Sequence, residues 1–445
     1  MYIHLKAEAL CTKQGSPLNE CGENPLFGLR YTPLIMETTS WDVIVVGGGP
    51  AGFFAAIRCA ELNPALRVLI IEKASQTLGK VLVSGGGRCN VTHACFDPAQ
   101  LISFYPRGGA ALRGAFTRFQ PSDTVQWFEG RSVKLKTEAD NRIFPVTNSS
   151  KTIADCLRSA ASAAGVTVQL GTNLQRVEKT PKGGFDLEAV TQAKGRSFHA
   201  KKLLIATGSD SVTREIVQAL GHSIESPVPS LFTFNIVDAR LEGLAGLAVE
   251  SATVKALGLT QTGPLLITHW GMSGPAILRL SAWGARMLFE QQYQAALTVN
   301  WLGQMSAEKA FDVLHKHKFW PENVRKKALT KSAFAQLPAR LWKQLAEPIL
   351  AEKSWGAVSN AELRKLSEEL TAGVFAVTGK GQFKDEFVTC GGVRLNEVDF
   401  KTMQSRLVDG LFFAGEVLDI DGITGGFNFQ SSWTTGWLAG TALAS

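Results

Sequence analysis

Gly47, Gly49 and Gly52 stand in the spacing G-x-G-x-x-G, and Glu72 follows twenty residues after the last of them. This is the residue set that binds a dinucleotide. Gly47 permits a tight turn, Gly49 lets the backbone approach a pyrophosphate, and Gly52 lets a helix pack closely on a strand. A helix beginning here aims free N–H groups and a positive dipole end at the phosphates, with Pro50 and Ala51 at its first turn. A carboxylate at Glu72 accepts bonds from ribose hydroxyls and repels a 2′-phosphate, which disfavours NADP at this site.

The elements that must place these residues surround them. The apolar run Asp42-Val43-Ile44-Val45-Val46 reads as a strand buried on both faces, residues 53–60 as a helix, and Val68-Leu69-Ile70-Ile71 as a second strand delivering Glu72. Residues 166–170 and 185–187 are further candidate strands, and Leu203-Leu204-Ile205-Ala206-Thr207-Gly208 is another apolar strand ending in A-T-G. Residues 410–416 repeat the strand-then-Gly-acid logic and end in Gly415-Glu416. Gly425-Gly426-Phe427-Asn428 then leads into a small-residue helix over 433–444. Two binding turns so far apart in sequence fit one long ligand better than a compact NAD domain. A helix N terminus behind Gly425-Gly426 suits flavin N1/O2, where negative charge develops on reduction. FAD is therefore the expected cofactor.

The 445 residues give a prior of about three domains. Hydrophobic residues at 45% against 19% charged exclude a disordered chain, and 43 clustered, non-periodic Gly exclude collagen. No run approaches the ~18 apolar residues of a membrane span. The net charge of +7 is a mild basic excess. Seven Cys, an odd number with no C-x-x-C, argue against a disulfide framework and for a reducing, cytoplasmic setting. Cys89 and Cys95 lack the close spacing of a redox dithiol, and no His/Cys/Asp cluster has metal-ligand spacing, so no metal is expected. Residues 1–36 carry Pro17, Pro25 and Pro33 and read as a loose leader, or as sequence upstream of a working start at Met36.

Residues 228–371 break the dinucleotide pattern. Strands are expected at 265–268 and 297–300, and helices at 306–318, 321–333 and 337–352, with Ser306 and Pro321 as starts. Lys309, Lys316, Lys318, Arg325, Lys326, Lys327, Lys331, Arg340 and Lys343 read as a solvated face, the alternative being an anion-recruiting patch near the site or an RNA-contacting surface, and Phe319, Trp320 and Trp342 read as core rather than as base-stacking rings. The candidate catalytic groups are His269 and Ser273, in the turn Thr268-His269-Trp270-Gly271-Met272-Ser273-Gly274-Pro275, and Cys390. A Cys there is reactive if exposed with a lowered pKa and inert if buried. His93 reads as a polar helix or loop residue in preference to a neighbour of the cofactor.

Ser84-Gly85-Gly86-Gly87-Arg88-Cys89-Asn90, preceded by Gly79-Lys80, resembles the signature of the BaiN-like, aminoacetone-oxidase-type family of FAD-dependent flavoproteins. Arg142-Ile143-Phe144-Pro145, Val388-Thr389-Cys390-Gly391-Gly392 and Phe413-Ala414-Gly415-Glu416-Val417-Leu418-Asp419 match it in order, from about residue 41 to the end. The resemblance implies an α/β, Rossmann-type FAD domain in two pieces, 37–227 and 372–445, around an inserted β-barrel and helical region at 228–371. It implies tightly held, noncovalent FAD near Lys73, Lys80, Ser84, Gly86, Gly87, Arg88 and Asn90. Val177, Thr207 and Gly208 are assigned to the same site, with Gly415, Glu416 and the turn Gly425, Gly426, Phe427, Asn428 on its other side. Where the family carries a second glycine and a G-S-T-G-D-G-like loop, this chain continues from Gly208 into Ser209-Asp210-Ser211-Val212-Thr213. Cofactor contacts are therefore not expected from 209–221.

The expected activity is FAD-dependent oxidoreduction, passing hydride or electrons between flavin N5 and a small-molecule substrate or NAD(P)H, the latter as a diffusing reductant. The alternatives are an FAD-dependent RNA-modifying enzyme and a flavin-binding protein without turnover. A small-molecule partner is expected, with neither membrane nor nucleic acid.

Overall fold

Val43, Ile44, Val45 and Val46 are all at most 4% exposed, because their strand runs through the middle of a parallel sheet covered on both faces. The computed structural model describes residues 38–381 and 388–445, so the expectations for 1–36 lie outside the described residues. Thr38–Val46 pairs in parallel with Val68–Ile71 on one side and Lys194–Ile205 on the other. Thr167–Gln169 and Leu411–Phe413 extend the sheet outward in the same direction. Phe185–Thr191 pairs antiparallel with the first half of Lys194–Ile205 and with Thr172–Lys179, and Gln404–Ser405 and Val398–Asp399 continue antiparallel from Leu411–Phe413, which completes a nine-stranded sheet.

Two helices fix the active end of this sheet. Pro50–Leu62 begins at the fingerprint turn, and Phe427–Leu443 runs against it. They approach closely because Gly436 and Gly440 carry no side chain. A Cβ at either would stand 2.6 Å from the Ala51 carbonyl oxygen or 2.4 Å from that of Ala55. The two halves of the domain, distant in sequence, are thereby packed backbone to backbone.

The antiparallel pair Ile224–Ser230 and Val388–Val393 carries the chain into and out of the insert. The insert is built on a seven-stranded antiparallel sheet whose end strands are Gly373–Val377 and Gly379–Lys380. Only Thr378 separates those two strands in sequence. The sheet therefore curls until its edges meet through one residue, which is the expected barrel-like shape. Residues 373–380 pair with the insert's own strands, beyond the boundary expected at 371.

The helices Ala307–Phe319, Ala339–Leu350 and Asn360–Ala372 cover this sheet around buried Trp301, Trp342 and Trp355. Ser306 caps the first by accepting the Lys309 N–H. The helix expected over 321–333 is replaced by turns and an isolated bridge from Lys327 to Ser354. Long-range pairing outweighs local propensity there. The Lys326 and Val324 carbonyls accept the Trp355 and Gly356 N–H groups, and the buried Asn323 amide donates to the His317 carbonyl. Trp342 is core as expected, whereas Phe319 and Trp320 are 59% and 53% exposed. Among the described residues, no helix is long and apolar enough to cross a membrane.

Candidate functional site

The fingerprint glycines take up the roles their spacing assigns. Gly47 holds φ +109°, and a Cβ there would meet the Ala206 carbonyl oxygen at 2.4 Å. A Cβ on Gly52 would stand 2.0 Å from the Gly47 oxygen, so helix and strand touch at this point. A Cβ on Gly49 would meet nothing within 4 Å. Gly49 faces open space at the N terminus of Pro50–Leu62, where no side chain caps the free N–H groups.

That space is a cleft of about 1090 Å³, just above the ~300–1,000 Å³ of ordinary small-molecule sites. Gly47, Gly49, Pro50, Ala51, Glu72, Lys73, Lys80, Ser84, Gly86 and Asn90 line it from the first piece of the domain, with Thr207 and Gly208. Gly415, Glu416, Gly425, Gly426 and Asn428 line it from the C-terminal piece. Glu72 accepts the Gly48 N–H at 2.7 Å and the Ala74 N–H at 2.8 Å, which fixes its carboxylate at the end of its strand. The Asn90 amide bridges the Thr92 carbonyl and the Gly426 N–H at 3.0 Å each, tying the signature loop to the C-terminal turn. Asn428 closes that turn through paired bonds of 2.8 Å to Gly422. Gly426 opens Phe427–Leu443 with φ +93° and no side-chain cap, so a second set of free N–H groups reaches the cleft. Lys80 pairs with Glu416, joining the two pieces of the domain.

Gly52, Gly87, Arg88, Val177 and Phe427 stand behind the lining. Arg88 pairs with Glu138 at 2.7 Å and lies over the Phe144 ring, so it braces the signature loop. Val177 is core beneath the antiparallel strands. Phe427 stacks on His93 and Phe104. Burial lowers the His93 pKa.

The stretch after Gly208 does reach the cleft, against expectation: Ser209, Asp210, Ser211 and Arg214 line it. Gly208, at φ +64°, turns the chain inward, and Asp210 caps Ser211–Ala219 by accepting the Thr213 N–H at 2.9 Å. Burial pushes the Asp210 carboxyl up, but Lys73 at 2.5 Å and the Thr213 bonds outweigh it and hold the pKa below the usual carboxylate value.

The candidate catalytic residues separate. Ser273 lines the cleft, whereas His269 lies exposed in the turn between Leu259–Thr268 and Gly271–Ser273 and is not part of the lining. Cys390 is fully buried, and burial raises its thiol pKa, so it meets the condition for an inert thiol. Cys89 is likewise buried, and burial pushes it up to about 12. The structure adds lining residues that sequence reasoning missed: Leu231, Thr233, Leu278 and Val388 on the insert side, and Phe429 and Arg142. Arg142 had a signal, its place in the R-I-F-P motif. Val388 had one too, in the V-T-C-G-G motif, whereas Leu231, Thr233 and Leu278 had none, since only the packing of the barrel against the domain brings them here.

The residues fit a flavin dinucleotide. Two uncapped helix N termini face one cleft, Gly49 leaves room for a close backbone approach, and the buried Thr207 Oγ1 has no partner among the described residues. Fold and site thus define a Rossmann-type FAD-binding protein of the oxidoreductase class. The chain belongs to the family described as HI0933-like protein Rossmann domain, which matches residues 41–442.

Among curated proteins, it is 26% identical over 422 residues to the 3-dehydro-bile acid delta(4,6)-reductase of Clostridium scindens, covering 90% of this chain and 98% of that one. It is 28% identical over 413 residues to the ribosomal RNA dihydrouridine synthase of Escherichia coli, covering 89% and 96%. Among solved structures, the 3-ketosteroid-delta4-(5alpha)-dehydrogenase of Rhodococcus jostii shares the fold with a TM-score of 0.52 at 16% identity, covering 93% and 99%.

Proposed function

We propose that this protein reduces a carbon–carbon double bond conjugated to a carbonyl, holding FAD in the cleft and drawing electrons from NAD(P)H as a diffusing reductant. The observation that carries the reading is the make-up of the cleft wall opposite the fingerprint. Leu231, Leu278 and Val388 form an apolar face there, interrupted by the hydroxyls of Thr233 and Ser273. No His, Cys or Tyr is among the described lining residues, so the wall is made for binding rather than for thiol or imidazole chemistry.

The relatives' names support the same chemistry. One describes reduction of a bile acid bearing a 3-keto group, the other the formation of dihydrouridine, whose ring is uracil with two added hydrogens. The net reaction consumes NAD(P)H, one proton and the unsaturated carbonyl compound, and yields NAD(P)⁺ and the saturated one.

Gly49 and the first turn of Pro50–Leu62 would hold the pyrophosphate, Glu72 the adenosine ribose, and the N terminus of Phe427–Leu443 would favour negative charge on the ring. When bound, FAD supplies a two-electron carrier that accepts and returns hydride. Thr233 and Ser273 each adjoin a member of the Phe234–Met272 pair of two antiparallel strands, and the Thr233 hydroxyl has no partner among the described residues. Their O–H groups are the donors for a substrate carbonyl oxygen, where negative charge grows during reduction. The apolar face keeps water from the reacting carbon and seats the rest of a ring.

The test is anaerobic reduction of the yellow holoprotein by NADH and by NADPH, followed at the flavin band, then addition of 2-cyclohexenone or uridine. Bleaching by one nucleotide, recolouring by an unsaturated carbonyl compound and a product two mass units heavier are expected. Direct bleaching by amine or hydroxy substrates, with neither enone nor uridine recolouring the reduced protein, overturns the reading. A colourless protein that cannot be reconstituted with FAD overturns the cofactor as well.

A further inference from the structure

Residues 316–331 carry six cations, Lys316, Lys318, Arg325, Lys326, Lys327 and Lys331, against one acid, Glu322, in a chain whose whole net charge is +7. All but Lys318 are exposed. In the same stretch stand the exposed rings of Phe319 and Trp320, 59% and 53% accessible. Large aromatics side by side in that state are unusual on a solvated face, since burying such a ring stabilises a fold.

The rings are not loose. The Trp320 carbonyl accepts both the Asn323 and Val324 N–H groups, and the buried Asn323 amide binds back to His317. Trp320 lies 5.3 Å from the His317 ring, which packs 4.9 Å from the buried Trp355. Lys318 lies over the Phe319 ring at 5.1 Å while donating to the Val358 carbonyl. Lys327 is paired, with Glu352 at 2.6 Å. Among the described residues, Lys316, Arg325, Lys326 and Lys331 have no carboxylate within ion-pair distance.

We propose that this turn, with its rigid exposed rings set among unpaired cations, is a docking surface for single-stranded RNA. Lysine and arginine neutralise phosphates, and an aromatic face stacks on any base that has left its duplex. An acidic protein would satisfy the cations but leave the rings unexplained. Unpaired, splayed bases are the ordinary state of RNA loops and bulges, which is why RNA is assigned in preference to DNA. The surface lies outside the cleft lining, and the inference does not rest on the reaction proposed for the cleft.

The experiment is fluorescence-anisotropy titration of a labelled 12-nucleotide oligouridylate with the full-length holoprotein at 50 and 200 mM salt. Binding is expected, weakening with salt as about four neutralised phosphates require, a log–log slope near −3. Trp320→Ala should weaken binding about ten-fold, with Trp320→Phe recovering most of it. Lys326→Glu/Lys331→Glu should weaken it further and flatten the salt slope. All three should keep their flavin content and nicotinamide-driven bleaching, since these side chains are exposed and outside the cleft. No binding at 50 mM salt, or equal binding by the variants, overturns the proposal. So does loss of binding to phosphatidylserine vesicles in the same variants while RNA binding stays unchanged.

Discussion

Gly49 and Gly52 belong to one motif, yet alanine at each should fail in opposite ways. At Gly52 the new methyl would stand 2.0 Å from the Gly47 carbonyl oxygen, a backbone atom with no rotamer to escape into. Overpacking costs about 1–3 kcal/mol where side chains can give way, so a rigid backbone contact belongs at or above ~3 kcal/mol. That is a large part of the ~5–15 kcal/mol that holds a domain together. At Gly49, φ −87° and ψ −174° suit any residue, and the methyl meets nothing within 4 Å. Its loss of unfolded-chain entropy, about 0.4–1 kcal/mol, offsets the poorer N-cap, so the apoprotein should stay within ~0.5 kcal/mol of the parent. The same methyl occupies the space a pyrophosphate needs, and FAD affinity should fall at least ~10-fold, about 1.4 kcal/mol. Urea unfolding of the apoproteins measures the first quantity and FAD fluorescence titration the second. Parental FAD affinity in Gly49→Ala would refute the placement of the pyrophosphate. Parental stability in Gly52→Ala would refute the helix–strand contact.

Asp421 is fully buried and accepts from Arg107 and, at 2.8 Å, from Ser230, while Arg107 also donates to the Ala282 carbonyl at 2.8 Å. This links both pieces of the domain to the insert, and Arg107→Met should cost about 3–5 kcal/mol in urea unfolding, much of it recovered in Arg107→Met/Asp421→Leu. Cys390→Ser should leave flavin bleaching unchanged, and Ellman's reagent should reach Cys390 only after unfolding, as read by mass spectrometry of the labelled peptides. Lys353 and the Ser359 N–H and O–H hold Glu362 at about 2, so its contribution is full above the unfolded value near 4.5 and is lost as pH falls toward 2. Urea midpoints should therefore drop more between pH 5 and pH 3 in the parent than in Glu362→Gln. Ser359→Ala removes the N-cap of Asn360–Ala372 and should cost about 1 kcal/mol at neutral pH.

The sequence by itself determined what depends on neighbours along the chain. The strand before Gly47, the glycine turn, the acid at 72 and the Gly425-Gly426 turn each fix local backbone geometry, and each lies where its residue types require. The helices capped at Ser306 and running through Leu341, Trp342 and Leu345 follow the same local rules. What failed was local reasoning where distant partners decide. Residues 321–333 have helix-forming side chains, but the Val324 and Lys326 carbonyls are taken by Gly356 and Trp355. Phe319 and Trp320 read as core because aromatics usually are, but the last residue of Ala307–Phe319 and the turn that Asn323 anchors after it present them to solvent instead. Ser209, Asp210, Ser211 and Arg214 reach the cleft through the turn at Gly208. The wall of Leu231, Thr233, Leu278 and Val388 exists only because a barrel that joins its edges through Thr378 is set against the dinucleotide domain. No spacing in the sequence encodes that wall, because it is formed by surfaces meeting rather than by residues following one another.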